Sequence, residues 1–396
     1  MPLQQVGVTG MTAGSVRVTA PVRAQWRRAN QYCELPHSTC AELPTDLSPR
    51  FVLRLTQLSF VPRGERSIRT GISCLALLLT IAERAHAQAP HATATPASSF
   101  EVPAWAFPQA APGTRTVLTD TVAPLQVPNS DSAFTLSRIR DYFNAIDWHP
   151  ETHRAAPDVV LHGRKPAMFA CGICHLPDGN GRPENATIAG LPRDYIIRQV
   201  RDMHARTRGS AFSPNRPAEA MRLVADSVTD DELREAAKYF SHAKNRPQFH
   251  VIESDSVPRT IPLNGLYSRA PGTEMEALNG RLIEIADDIR RHEMRDSRAE
   301  YTAYVPRGSL ARGKAIAQGD VRGIKGCQSC HGGSLGGRFQ VPPISGRPSS
   351  YLLRQLLAFK TGARASKEGQ PMREEAATLS LDDMIAVAAY ATSLKP

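Results

Sequence analysis

Cysteine is scarce in this chain, and where it is missing matters as much as where it stands. Three of the seven cysteines (Cys33, Cys40 and Cys74) precede residue 88, and the other four sit in two Cys-x-x-Cys pairs. Nothing after residue 88 is left over for a disulfide framework. Aromatic residues make up only 6%. The net charge of +10 therefore lacks the interleaved aromatics of a nucleic-acid surface, and nucleic acid is not an expected partner. No phosphate-cradling glycine loop, nucleophile triad or acid–base pair of carboxylates stands out. The apolar run from Ile72 to Ala82 is too short to span a bilayer.

That run is still informative. Arg63, Arg66 and Arg69 precede it and Ala85-His86-Ala87 follows it, the order of an export signal over 63–87 with cleavage after a small residue. Residues 1–62 then read as a non-native or disordered extension, with translation expected to begin just upstream of the signal, near Val52 or Val61. Residues 88–130, rich in Ala, Pro, Thr and Val, read as an extended arm. Export implies a periplasmic protein of a bacterium.

Two pentapeptides dominate what remains: Cys171-Gly172-Ile173-Cys174-His175 and Cys327-Gln328-Ser329-Cys330-His331. Two thiols on one helical turn can hold a haem through thioethers, and the histidine that follows points an imidazole at the iron. Adding 156 to the first motif gives the second. The same offset carries Ile188, Gly190, Pro192, Tyr195, Arg198 and Gln199 onto Ile344, Gly346, Pro348, Tyr351, Arg354 and Gln355. At an offset of 151, Met221-Arg222 lands on Met372-Arg373, and Asp231, Ala237 and Tyr239 land on Asp382, Ala388 and Tyr390. The chain thus holds two homologous units, 131–245 and 308–396, that differ in length just ahead of the methionine.

Within each unit a helix opens at a proline (Pro192, Pro348), and a last helix is capped by Thr229 or Ser380. A further helix is expected through Ile139, Tyr142 and Phe143, and another before each motif. The connector 246–307 reads two ways. Met275, Leu278, Leu282, Ile285 and Ile289 have helical spacing, while Leu282–Ile285 and Tyr301–Val305 would also suit a hairpin. It is expected as a linker, partly irregular.

A haem iron that carries electrons needs a strong ligand on each face, and a thioether opposite the histidine raises its potential. Of nine methionines, Met221 and Met372 match Met to Met across the repeat. Met203 pairs with Phe359, Met168 with Ile324 and Met384 with Leu233, as core-filling residues do. Met221 and Met372 are expected on loops over the two haems, with His204, His242 and His250 as alternative ligands for the first iron.

The Cys-x-x-Cys-His motif, a proline-bearing loop, Tyr-x-x-Arg-Gln, the later methionine and the capped last helix together resemble class I cytochromes c. The tandem order is similar to their dihaem, two-domain bacterial members, and the likeness covers about 131–245 and 308–396. It implies an all-α fold of two tandem domains and two covalently bound haem c groups. Cys171, Cys174, Cys327 and Cys330 would form the thioethers, with His175, Met221, His331 and Met372 as axial ligands. It also implies that a proline carbonyl orients the proximal imidazole, a role Pro343 fits while the first unit has Thr187. Tyr195, Arg198, Tyr351 and Arg354 read equally well as contacts to haem propionates or as packing tyrosines and solvated arginines.

The expected function is single-electron shuttling, without catalysis of its own. The donor would be a dehydrogenase or quinol-oxidising complex and the acceptor an oxidase or other reductase. Two alternatives share the motifs: a dihaem peroxidase, which needs an open iron and distal polar groups, and a cytochrome subunit of an exported dehydrogenase or membrane-associated complex. A zinc site built from the four thiolates is a third chemistry. Residues 301–396 hold thirteen basic and six acidic side chains, against seventeen and fifteen over 128–250. The basic second unit reads either as a docking face for an acidic surface of a redox partner or as a solvated basic face.

Overall fold

The structure, a computed structural model, describes residues 100–114 and 117–396. The extension at 1–62, the export signal at 63–87 and the start of the arm at 88–99 lie outside the described residues. A small antiparallel ladder pairs β1 (Pro124–Leu125), near the end of the arm, with β2 (Phe134–Thr135) at the start of the first unit. Three single turns follow, α1 (Leu136–Ile139), α2 (Asp158–Leu161) and α3 (Cys171–His175). Three longer helices complete it: α4 (Arg193–His204), α5 (Arg216–Ser227) and α6 (Asp230–Ser241).

The helix expected through Tyr142 and Phe143 stops at Ile139. The Asp141 carboxylate accepts from the Phe143 N–H at 2.9 Å and from the Asn144 amide at 2.7 Å, so local side-chain bonds replace the helical ladder. In α6, the Thr229 hydroxyl accepts from the Glu232 N–H while the Glu232 carboxylate accepts from the Thr229 N–H. This reciprocal cap starts a helix whose buried stripe is Leu233, Ala236, Ala237 and Phe240. Ala236, Ala237 and Phe240 join Ile196 of α4 with Val159, Val160, Met168 and Leu191 in one core, while Leu233 packs with Val200 and Ala225.

The connector is a folded β module, so the protein is not all-α. It runs through β3 (Phe249–Glu253), β4 (Ser256–Pro258), β5 (Thr260–Pro262), β6 (Tyr267–Arg269), β7 (Met275–Ala277) and β8 (Ile283–Ala286). Then come α7 (Ile289–Glu293) and β9 (Tyr301–Val305). Five strands form a mixed sheet in the order β3-β9-β8-β6-β5, and β4 pairs with β7. Of the two readings of the sequence, the structure takes the hairpin-like one, with β8 antiparallel to β9 and Ile283 opposite Tyr304. The helix from Met275 to Ile289 is absent. Asn279 and Gly280 take left-handed conformations (φ 51° and 71°) between β7 and β8, which a helix interior does not allow. All four residues of β8 are buried, as in a strand covered on both faces.

The second unit repeats the helical plan with α8 (Ser309–Gln318), α9 (Gln328–His331), α10 (Ser349–Lys360), α11 (Gln370–Thr378) and α12 (Leu381–Ser393). α8 lies so close to α12 that a Cβ on Gly313 would come within 2.0 Å of the Ala386 carbonyl oxygen. Gly313→Leu is therefore expected to force the helices apart and cost about 3 kcal/mol, read as a lower denaturation midpoint. An unchanged midpoint would show that α8 does not seat there.

The arm ends on this same core. Ala106 and Phe107 are buried in it, and Phe107 stacks on Phe212 of the first unit at 5.4 Å between ring centroids. Among the described residues no helix is long and apolar enough to cross a membrane.

Candidate functional site

The two motif turns, α3 and α9, present their histidines in the same way. Nδ1 of His175 lies 2.8 Å from the Ala186 carbonyl oxygen, and Nδ1 of His331 lies 2.8 Å from that of Pro342. The two acceptors are themselves 156 residues apart. With Nδ1–H donated to the backbone, each imidazole keeps its Nε2 lone pair. Burial lowers the basicity of both rings, which favours the neutral, ligating form.

The orienting carbonyl is one residue earlier than the sequence suggested. The Pro343 oxygen accepts instead from Arg347 Nε at 2.7 Å, and the Thr187 hydroxyl donates to the Asn180 carbonyl at 2.5 Å. A backbone acceptor does not depend on its side chain, so the Thr187/Pro343 difference leaves both histidines equivalently held.

One continuous cavity of about 460 Å³ passes both motifs. Cys171, His175, Cys327, Cys330 and His331 line it, as do Met221, Met372 and Pro343; Cys174 does not. Both methionines sit on helices, α5 and α11, rather than on the loops expected. Asn215 caps α5 by accepting from the Ala218 N–H, and Pro217 and Pro371 occupy the first turns, where the missing N–H costs nothing. Met203 also lines the cavity, beside Met221, whereas Met168 and Met384 are fully buried core residues.

His204, His242 and His250 are exposed and do not reach the cavity. Nδ1 of His204 meets Asp226 at 3.1 Å, and Nδ1 of His242 meets the Lys238 carbonyl at 2.8 Å. Burial pushes the Cys171 thiol up to about 12 and the Cys327 thiol up to about 11, a setting suited to neutral thioethers. The zinc alternative needs thiolates that converge. Among the described residues no group of three or more His, Cys, Asp or Glu does so.

Where the units meet, the repeat makes a local two-fold contact. The Gly209 N–H donates to the Ala363 carbonyl and the Ala365 N–H to the Thr207 carbonyl, both at 2.7 Å. The offset of 156 exchanges these two bonds. It also exchanges Arg208 with Arg364, a pair not noticed in the sequence although the arithmetic that found Tyr195/Tyr351 reaches it. Arg208 donates to Gln199 at 2.9 Å and to the Tyr351 hydroxyl at 3.1 Å. Arg364 donates to Gln199 at 2.6 Å and to Gln355 at 3.1 Å.

Burial would raise the Tyr195 phenol, but Arg364 and Arg208 outweigh it and lower its pKa. Tyr195, Arg198, Tyr351, Arg208 and Arg364 all line the cavity. Arg354 does not. Its guanidinium donates to the carbonyls of Ala106 (2.6 Å), Pro183 (3.1 Å) and Gly265 (2.7 Å), tying the arm, the first unit and the β module to α10. Three of its five N–H donors are thus committed to backbone carbonyls away from the cavity. Arg347, another residue the sequence did not flag, lines the cavity and donates to the carbonyls of Thr187 and Ala189 across the unit boundary.

The donor set fits two haem c groups: paired thiols, imidazoles with free Nε2, thioethers, and buried or half-buried arginines and half-buried tyrosines suited to carboxylates. No family model matches the chain. It is 26% identical over 245 residues to a cytochrome c4 of Azotobacter vinelandii, a match covering 61% of this chain and 90% of that protein. A cytochrome c4 of Thiocapsa roseopersicina is 25% identical over 247 residues, 61% and 96% of the two chains. A thiosulfate dehydrogenase electron acceptor of Stutzerimonas stutzeri is 24% identical over 231 residues, 58% and 80%.

Proposed function

Because the chain is a dihaem cytochrome c, an electron-transfer protein with two covalently bound haem c groups, we propose that it is a periplasmic shuttle between redox proteins. It takes single electrons from an exported dehydrogenase or a quinol-oxidising complex and delivers them to an oxidase or another reductase. The name of the Stutzerimonas relative, an electron acceptor of a dehydrogenase, supports the first kind of donor. Cys171 and Cys174 hold the first haem and Cys327 and Cys330 the second. The axial pairs are His175 with Met221 and His331 with Met372, and the haem domains are 131–245 and 308–396.

Each haem, when bound, supplies a one-electron ferric/ferrous couple. The chain's own residues fix the imidazoles through the Ala186 and Pro342 carbonyls and exclude water with the apolar lining. Tyr195, Arg198, Tyr351, Arg208 and Arg364 line the cavity with positive and hydrogen-bonding groups that would hold haem carboxylates. The observation that carries this reading is the two-fold contact, which opens both motif sites onto one cavity and so supports transfer between the haems.

Flash reduction by a small photoreductant tests it. A bimolecular phase followed by a redistribution whose rate is independent of protein concentration is the expected result. Two independent bimolecular phases with no redistribution would overturn the shuttle.

A further inference from the structure

The two motif loops are equivalent in sequence position and opposite in exposure. Every residue from Leu176 to Pro183 is buried. Of the matching stretch, Gly332 to Phe339, only Leu335 is. The β module makes the difference. Arg246 donates to Asp178 at 2.9 Å, Gln248 to the Asn180 and Gly181 carbonyls at 3.3 Å, and Arg295 of the module to the Ile173 carbonyl inside the first motif at 2.5 Å. The second motif has no such cover: Ser329 and Cys330 are exposed.

Phe339 is 94% exposed and held at φ 51° in a turn closed by hydrogen bonds between Arg338 and Val341. A bulky residue in the left-handed region is strained, and such strain persists where the surrounding chain imposes it. A large apolar ring kept wholly in water gains nothing for folding. Arg322, Lys325 and Arg338, on either side of the second motif, are exposed and make no ion pair among the described residues, and within 320–340 Asp320 is the sole carboxylate. Glu375 is also close, its carboxylate accepting from the Lys325 N–H at 3.1 Å. The repeat partner of Arg338 is Arg182, which is instead buried in a 3.1 Å ion pair with Glu184.

We propose that electrons enter and leave this protein through the second motif's exposed loop, 328–340, and that the occupant of this surface is a redox protein presenting an acidic rim around an apolar centre that receives Phe339. The β module closes the matching face of the first unit, so the first haem exchanges electrons through the second. The proposal rests on the shuttle reading above. Each encounter moves one electron, one centre being oxidised as the other is reduced.

Stopped-flow oxidation of the reduced holoprotein by ferricyanide, which takes up one electron to become ferrocyanide, separates the two ideas. No oxidation at all would sink the shuttle itself. Joint reversal of the basic charges flanking the motif and on its loop (Arg322→Glu, Lys325→Glu and Arg338→Glu) is expected to slow the reaction about tenfold or more at low ionic strength, and the gap should close in high salt. Reversing exposed Lys165, Lys238 and Lys244 of the first unit to Glu should change the rate by less than about twofold, on the same electrostatic reasoning. Equal slowing by both sets would overturn the port.

A second readout needs no turnover. Carbodiimide cross-linking of the wild-type holoprotein to an acidic redox protein, a flavodoxin, should place the main cross-link at Lys325, with lower yield in Phe339→Ala. Cross-links centred on Lys165, Lys238 or Lys244, or a yield indifferent to Phe339, would overturn it as well.

Discussion

In the oxidised Met372→Ala protein the second haem is expected to turn high-spin while the first stays low-spin, and Met221→Ala is expected to give the converse. Across the repeat these are the methionines that fall on each other at a single offset. Both line the cavity together with the two motif histidines, each on the helix preceding the last one of its unit. Losing a thioether removes the ligand that favours ferrous iron, so the potential of the affected haem should fall. Truncating a half-buried methionine also removes packing, by about 2 kcal/mol or more, so a stability loss alone would not distinguish ligand from filler. The spin state does. Met203→Leu is the control, because Met203 lines the same cavity but faces Phe359 across the repeat; its spectrum should not change. Paramagnetic resonance of the three oxidised proteins decides the matter, and an unchanged low-spin pair of signals in Met372→Ala would remove that residue from the coordination sphere.

Much of this site was legible because the repeat supplies an internal comparison. A single offset marked the thiols, histidines, prolines and Tyr-x-x-Arg-Gln segments, and the capped helices began at the threonine and serine that local rules select. The connector was not legible for a physical reason. Its apolar residues satisfy a helical spacing, but Asn279-Gly280 break the backbone between them, and the strands pair with partners as distant as Phe249 and Tyr301. Spacing alone cannot show non-local pairing. Arg354 misled in the opposite way. Its match to Arg198 pointed to a shared role, but carbonyls of the arm and the β module hold the Arg354 guanidinium away from the cavity that Arg198 lines. The methionines were placed on loops because each precedes the last helix by a short stretch. Asn215 and the first-turn prolines make that stretch helical in both units.

Acid is expected to loosen the first unit through His292, which lies in α7 of the β module. The imidazole is buried, with Nδ1 3.2 Å from the Tyr301 hydroxyl and Nε2 3.7 Å from the Glu184 carboxylate. Burial lowers its pKa to about 4 from 6.5, Glu184 opposes that, and Arg182 and Arg295 reinforce it. The contact with Glu184 is therefore not an ion pair at neutral pH. Between pH 6.5 and 4 the unfolded chain binds a proton that the folded chain refuses, so stability is full above 6.5 and falls as the pH drops. The loss due to this one group is about 2 kcal/mol by pH 5 and about 3 kcal/mol at its limit. Denaturation at pH 7.5 and 5 should show a smaller loss in His292→Gln than in the wild type by about 2 kcal/mol; identical losses would exclude His292 as the cause. The site should respond unevenly, because Arg295, three residues on, donates to the Ile173 carbonyl within the first motif, and the second motif has no tie to the module's α7. The first haem's spectrum should therefore change at a higher pH than the second's, and in His292→Gln the two should change together.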